Sequence, residues 1–198
     1  MHHKKTTMKK LNVLFAFLLI AGLAKAQTNW DLDAAHSNIN FTVTHMVVSE
    51  VDGSFKDFNG KVASKNADFD GADVTFTAKV ASIDTKNERR DGHLKTDDFF
   101  NAEKFTDLTF AGKLSKAGGK YQLKGQLTMK GVTKEVAFDV TYGGTIDTGR
   151  GVKAGFKLNG KINRQDYGVK FGSKLADGSA VVSDEVQIVC KIELNKAA

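Results

Sequence analysis

Between Trp30 and Leu194, apolar residues recur at every second position in one run after another. Ile39, Phe41, Val43 and His45 interleave with Asn38, Asn40, Thr42 and Thr44, and Val74, Phe76, Ala78 and Val80 interleave with Thr75, Thr77 and Lys79. The pattern continues through Leu108, Phe110, Gly112 and Leu114, then Tyr121 to Met129, Val136 to Tyr142, Val152 to Ile162 and Val186 to Leu194. Successive side chains of a strand point to opposite faces, so each run makes a ribbon with one apolar and one wet face. Ribbons of that kind build antiparallel sheet with one face buried, and the chain is predicted to be all-β.

Turn chemistry agrees. "KAGGK" at 116–120, "MKGVTK" and "YGGTIDTGRG" read as glycine-bearing reversals. Apolar parity shifts between Phe55 and Phe58, as at a bulge or corner. Glycines 112, 125 and 160 fall on the inward parity, where a closing barrel needs relief from crowding or a ligand needs room. Alternation alone fits a sandwich or a barrel. The chain has no proline to blunt an exposed edge, and closure removes edges altogether, which favours the barrel. Only residues 84 to 100, which contain "NERRDGHLKTDDFF", read as helical, with Thr85 placed to cap and Glu88 three residues on.

Residues 1–26 read as a secretory leader: lysines 4, 5, 9 and 10, an apolar run from Leu11 to Leu23, and Ala24-Lys25-Ala26 as a cleavage site. The leader is complete from Met8 onward. No second long apolar run follows, so no stable membrane insertion is expected. Of 29 Lys and Arg, five belong to the leader, which leaves 24 against 23 acids. That balance removes the electrostatic basis for nucleic-acid binding. A single cysteine, Cys190, makes no internal disulfide, and export without disulfides points to a bacterial periplasm. Residues 27–198 are expected to form one domain.

Candidate chemistry is sparse. His45 keeps the inward parity of its strand, as a hydrogen-bonded core histidine or as a polar contact for a ligand head group. His36, His45 and His93 lack the close pair that nucleates a metal site, and neither metal nor cofactor is expected. Ser37, His93 and Asp91 supply the residue types of a triad without a Gly-x-Ser-x-Gly elbow. Acids 88, 91, 97 and 98 lie on a polar insertion, where capping and solvation are their ordinary roles. Cys190 reads as an inert buried thiol. The many phenylalanines with inward parity fit a packed core or the wall of a cavity.

Six ordered segments carry a resemblance: "WDLDAAHSNINFTVTH", "GSFKDFNG", "ASIDT", "RDGHLKTDDFF", "GQLTMKGVTKEV" and "INRQDYG". Together they resemble the YceI family of exported lipid- and polyisoprenoid-binding proteins. The resemblance implies an eight-stranded antiparallel lipocalin-like barrel with a short helical insertion, enclosing a long apolar tunnel. The implied ligand is a polyisoprenoid, an isoprenoid quinone or a fatty-acyl lipid, carried or sequestered in the periplasm. On that basis the tunnel wall is expected to include Phe41, Val43, His45, Phe55, Phe76, Leu94, Phe99, Phe100, Phe110, Leu127, Phe138, Phe156 and Ile162. His36, Arg90, Asp91, His93, Arg164 and Asp166 are expected as structural or head-group polar residues, with Arg90, Asp91 and His93 paired among themselves or with Arg164 and Asp166. Residues 85–100 then form a lid. Thr106 stands where relatives place a proline. A side-by-side dimer is also compatible with the resemblance. Two other readings are an enzyme using His45 or His93 on a lipid, and a solid-core barrel that binds a partner.

Overall fold

Each alternating run forms a strand. The computed structural model describes residues 26–197, so the expected leader lies outside the described residues apart from Ala26. The strands, in chain order, are β1 (Thr28–Leu32), β2 (Asn38–His45), β3 (Ser49–Phe55), β4 (Phe58–Ser64), β5 (Ala72–Lys79), β6 (Ile83–Asp84), β7 (Asp107–Ala117), β8 (Lys120–Met129), β9 (Val132–Asp147), β10 (Val152–Asn163) and β11 (Val182–Lys196). One helix, α1 (Glu88–Lys95), lies between β6 and β7.

These segments make the eight staves of a closed barrel. β1 and β2 both pair antiparallel with β11, at Leu32↔Leu194 and Asn38↔Lys191, so they lie end to end as one broken stave. β3 and β4 are likewise collinear, because β3 pairs with β2 and β4 with β1. β5 and β6 continue in line against β4 and β3. β7 to β11 supply the other five, each antiparallel to the next, and β11 closes the ring on β1 and β2. Closure satisfies the backbone groups that a sandwich would leave at its edges. The parity shift is a corner: Lys56 and Asp57 part β3 from β4, so that Phe55 and Phe58 both turn inward and are buried.

The break in the first stave, residues 33–37, is stitched to β11. Asp33 N donates to Glu193 O at 2.9 Å, and Glu193 N donates to Ser37 Oγ at 2.9 Å. The Asp33 carboxylate accepts from His36 Nδ1 (3.0 Å), Asn195 Nδ2 (3.1 Å) and Lys153 Nζ (3.2 Å). These bonds, that from His36 foremost, hold its pKa well below the usual carboxylate range against the opposing effect of burial. A depressed native pKa stabilises the fold above the unfolded value near 3.9, and that contribution is lost as pH falls. Asp33→Asn is therefore expected to melt below the wild type at neutral pH. Thermal melts from pH 7 to pH 2 should show the gap closing below about pH 4; a constant gap would contradict this role.

One end of the barrel is plugged. The loop between β4 and β5 turns Phe69 inward, 1% exposed and with φ 62°, against Trp30 and Phe156 (ring centroids 5.0 Å from each) and Tyr142 (5.6 Å). A left-handed phenylalanine is costly, and its complete burial among aromatic rings offsets that cost. Tyr121 Oη donates to Asp68 O at 2.8 Å and fastens the same loop. The inward glycines relieve crowding. Gly112 and Gly125 face each other across β7 and β8, and a Cβ on Gly125 would lie 2.7 Å from Phe110 Cζ. One reversal begins later than the sequence suggested: β9 runs on to Asp147 because a bulge at Gly143 and Gly144 absorbs the glycine pair within the strand.

Candidate functional site

Between the Phe69 plug and the helix-bearing end lies a cavity of about 440 Å³, in the range of small-molecule sites. Every one of the thirteen residues expected on the tunnel wall borders it: Phe41, Val43, His45, Phe55, Phe76, Leu94, Phe99, Phe100, Phe110, Leu127, Phe138, Phe156 and Ile162. The reason is geometric. A barrel strand gives alternate residues to the interior, so inward parity becomes position on the wall. β11 adds an almost continuous apolar rib in Val186, Ile188, Cys190, Ile192 and Leu194. Burial pushes the Cys190 thiol up to about 11, so it is protonated at neutral pH and acts as a wall atom.

Polar groups gather at the mouth. Arg90, His93 and Arg164 border the cavity there, as does His45 at the end of β2. His45's ring makes no hydrogen bond among the described residues. α1 covers this end, and its start differs from the sequence reading. The helix begins at Glu88 and is capped by Asn87, whose side chain accepts from Arg90 N at 3.0 Å. Thr85 lies outside the helix and joins its two charges: its N and Oγ1 donate to Asp91 Oδ1 (2.9 and 2.5 Å), while Arg90 donates to its Oγ1 (2.7 Å) and its carbonyl (2.8 Å). Arg90 and Asp91 are thus linked through buried Thr85, and neither pairs with Arg164 or Asp166.

Arg164 is 5% exposed and works as a clamp. It donates to the carbonyls of Val169 (2.7 Å), Ser183 (2.9 Å) and Val182 (3.3 Å) and to Asp184 Oδ1 (2.9 Å). Burial draws its pKa down, with Asp184 opposing. It ties the 3-10 turn Arg164–Tyr167 to the start of β11. Three expected polar residues do not reach the cavity. Asp166 is exposed on the outer side of that turn. Asp91 is engaged by Thr85. His36 belongs to the Asp33 cluster outside the barrel, 3.7 Å from Glu193. The histidines therefore do not converge, and Ser37, Asp91 and His93 stand apart with separate partners. Asp33, His36 and Glu193 do cluster, and the Lys153 ammonium lies against both carboxylates, 3.2 and 2.6 Å away.

A clasp closes the mouth. Phe99, which follows α1, stacks on Phe171 of the 168–181 loop with centroids 4.7 Å apart, and His93 stands edge-on to both. His93 Nε2 lies 2.9 Å from Asp98 Oδ2. Phe171 and Phe69 escaped sequence reasoning because each is a lone aromatic in a polar loop, outside any alternating run; an isolated large apolar residue beside a glycine turn was the available signal. Phe171→Ala removes the stacking partner, worth about 0.5–1.5 kcal/mol, together with its buried area. Dissociation of a fluorescent apolar probe is expected to speed up about tenfold in stopped-flow displacement. An unchanged rate would show that the clasp does not gate the cavity.

The family model described as YceI-like domain matches residues 30–194. A UPF0312 protein of Staphylococcus aureus is 37% identical over 171 residues, spanning 85% of this chain and 98% of its own. Among solved structures, BcnA of Burkholderia cenocepacia superposes with TM-score 0.71 at 27% identity, over 82% of this chain and 98% of that one. The YceI protein of Campylobacter jejuni gives 0.65 at 35% identity, over 78% and 90%. A domain from Saccharophagus degradans, described as polyisoprenoid binding, gives 0.64 at 16% identity, over 85% and 98%, a likeness of fold alone.

Proposed function

The chain belongs to the family of YceI-like domains, and from that premise we propose that it binds one long apolar molecule, a polyisoprenoid, isoprenoid quinone or fatty-acyl lipid, for carriage or sequestration in the periplasm. The observation that carries this reading is the hydrocarbon-lined cavity of about 440 Å³, plugged at one end and lidded at the other. At about 30 Å³ per water-sized unit, close to a methylene, it holds roughly fifteen carbons without widening. At ~0.8 kcal/mol per buried CH₂, that is about 12 kcal/mol gross. Ordering the chain and immobilising it consume part of this, and about 8 kcal/mol net already gives micromolar affinity without a polar contact. A longer tail has to open the clasp or leave its end outside. The polyisoprenoid-binding description of the Saccharophagus domain supports the same ligand class.

The role proposed is binding without turnover. The polar groups at the mouth are spent on structure, Arg90 on Thr85, Arg164 on backbone carbonyls and His93 on Asp98, which leaves His45 to meet a head group. Organic extraction of protein purified natively from its own periplasm, followed by mass spectrometry, is expected to release a long-chain lipid in near-stoichiometric amount. Extracts no richer in lipid than those of a variant with a filled cavity would overturn the proposal.

A further inference from the structure

The mouth carries an apolar point. Between β2 and β3 the chain turns through Met46, Val47 and Val48, which are 40%, 68% and 86% exposed and are, with Ile146, the most exposed large hydrophobic residues among those described. Ile146 belongs to the plugged end, near the β9–β10 turn, so the three residues of this tip stand alone at the mouth.

The backbone of the tip is unusual as well. Met46 and Val47 have φ of 50° and 65°. Two successive positive φ values are what tight hairpin turns need, and asparagine and glycine are their ordinary residues. Two other tight hairpins use glycine: Gly118 and Gly119 (φ 56° and 79°) turn β7 into β8, and Gly131 (77°), after Lys130 (51°), turns β8 into β9. Among the described residues, the β2–β3 turn alone puts a β-branched side chain, Val47, in the left-handed region, where it is a genuine outlier. Strain and exposure thus coincide at one place, and neither helps the folded chain in water.

The tip is continuous with the cavity wall. Its neighbours His45, Val181 and Val182 all border the cavity, Met46 N donates to Val181 O at 2.9 Å, and His45 pairs with Val182. The 168–181 loop that receives this bond also carries Lys170 and Lys174, both exposed, and one acid, Asp177, whose carboxylate is engaged by Ser179. Lys174 bridges to Ala180 beside the residue that holds the tip, and although the exposed Glu50 follows the turn, an apolar point with lysines on the adjoining loop suits the boundary between the head groups and acyl chains of an anionic bilayer.

We infer that the Met46-Val47-Val48 tip is a membrane-contact wedge, which seats the lidded end of the barrel on a lipid surface so that an apolar ligand passes between bilayer and cavity without crossing water. This rests on the proposed binding of an apolar ligand. The test replaces the tip by the residues such a turn ordinarily uses, Met46→Asn, Val47→Gly and Val48→Thr together. The exchange relieves strain, so the variant keeps its fold. None of the three residues borders the cavity. Uptake of all-trans-retinol is followed by its fluorescence, from vesicles of equal phosphatidylethanolamine and phosphatidylglycerol and, separately, from aqueous solution.

Wild-type uptake from vesicles is expected to quicken in proportion to vesicle concentration, as collision requires. The variant should be slower by about tenfold or more and independent of vesicle concentration, while uptake from solution is equal for both. A wild-type rate independent of vesicle concentration, or equal vesicle rates for the two proteins, would overturn the inference while leaving ligand binding intact. So would a tip substitution that dissolved a dimer without changing transfer, which would make the tip a subunit contact. Failure of both proteins to take up retinol from solution would remove the binding reading and this inference with it.

Discussion

Val186→Trp is expected to weaken binding of a farnesol-sized isoprenoid alcohol about 100-fold while leaving the free protein folded. Val186 is partly buried on β11 and faces the cavity between Val43 of β2 and Ile162 of β10. An indole there occupies the space of about three or four methylenes, which at ~0.8 kcal/mol each removes roughly 3 kcal/mol of ligand burial; each 1.4 kcal/mol is tenfold in affinity. The same substitution in a solid core would overpack it and cost stability, typically 1–3 kcal/mol. Displacement of a fluorescent probe reads the affinity, and thermal melting of the ligand-free protein reads the fold. Lost binding with an unchanged melt marks an empty cavity; a lowered melt with no measurable binding in the wild type marks a filled one.

Arg164→Met is expected to destabilise the protein by about 3–5 kcal/mol, a loss of some 10 °C in melting temperature for a chain of this size. The carbonyls of Val169, Val182 and Ser183 all take hydrogen bonds from this one guanidinium. Methionine fills the volume but withdraws the donor from one buried carbonyl, that of Val169, and from two partly buried ones, and a fully buried oxygen left without a donor costs about 1–3 kcal/mol. Asp184→Asn provides the contrast. Its side chain is 55% exposed, so loss of that ion pair should cost under about 1 kcal/mol. Equal effects of the two substitutions would mean that the ion pair, and not the carbonyl clamp, holds the mouth together.

What the sequence made legible follows from which properties are local. Side-chain parity is local, and it placed Phe41, Phe110, Phe138, Phe156 and Ile162 on one face of their strands before any pairing was known. In a closed barrel that face can only be the interior. Pairing between distant segments is not local. Nothing in "DLDAAHSNIN" announces that β1 and β2 share a stave, because the join depends on both reaching the same β11. Partner choice among charges was illegible for the same reason. Arg164 meets Asp184 rather than the nearer Asp166 because the 3-10 turn points Asp166 outward and folds the arginine beneath β11. The capping error at α1 was of another kind: Thr85 and Asn87 are both good caps, and Thr85 was drawn off by the buried bonds to Arg90 and Asp91.

A chain-length series tests the central claim most directly: that water's rejection of hydrocarbon, and no particular polar contact, supplies the affinity. Linear alcohols from octanol to octadecanol share one head group and differ only in methylenes, and displacement of a fluorescent probe ranks them. Affinity is expected to rise about two- to fourfold with each added CH₂, then to level off near the length at which roughly fifteen carbons fill the cavity. An affinity that stays flat across the series, or that falls from the shortest member onward, would contradict the account.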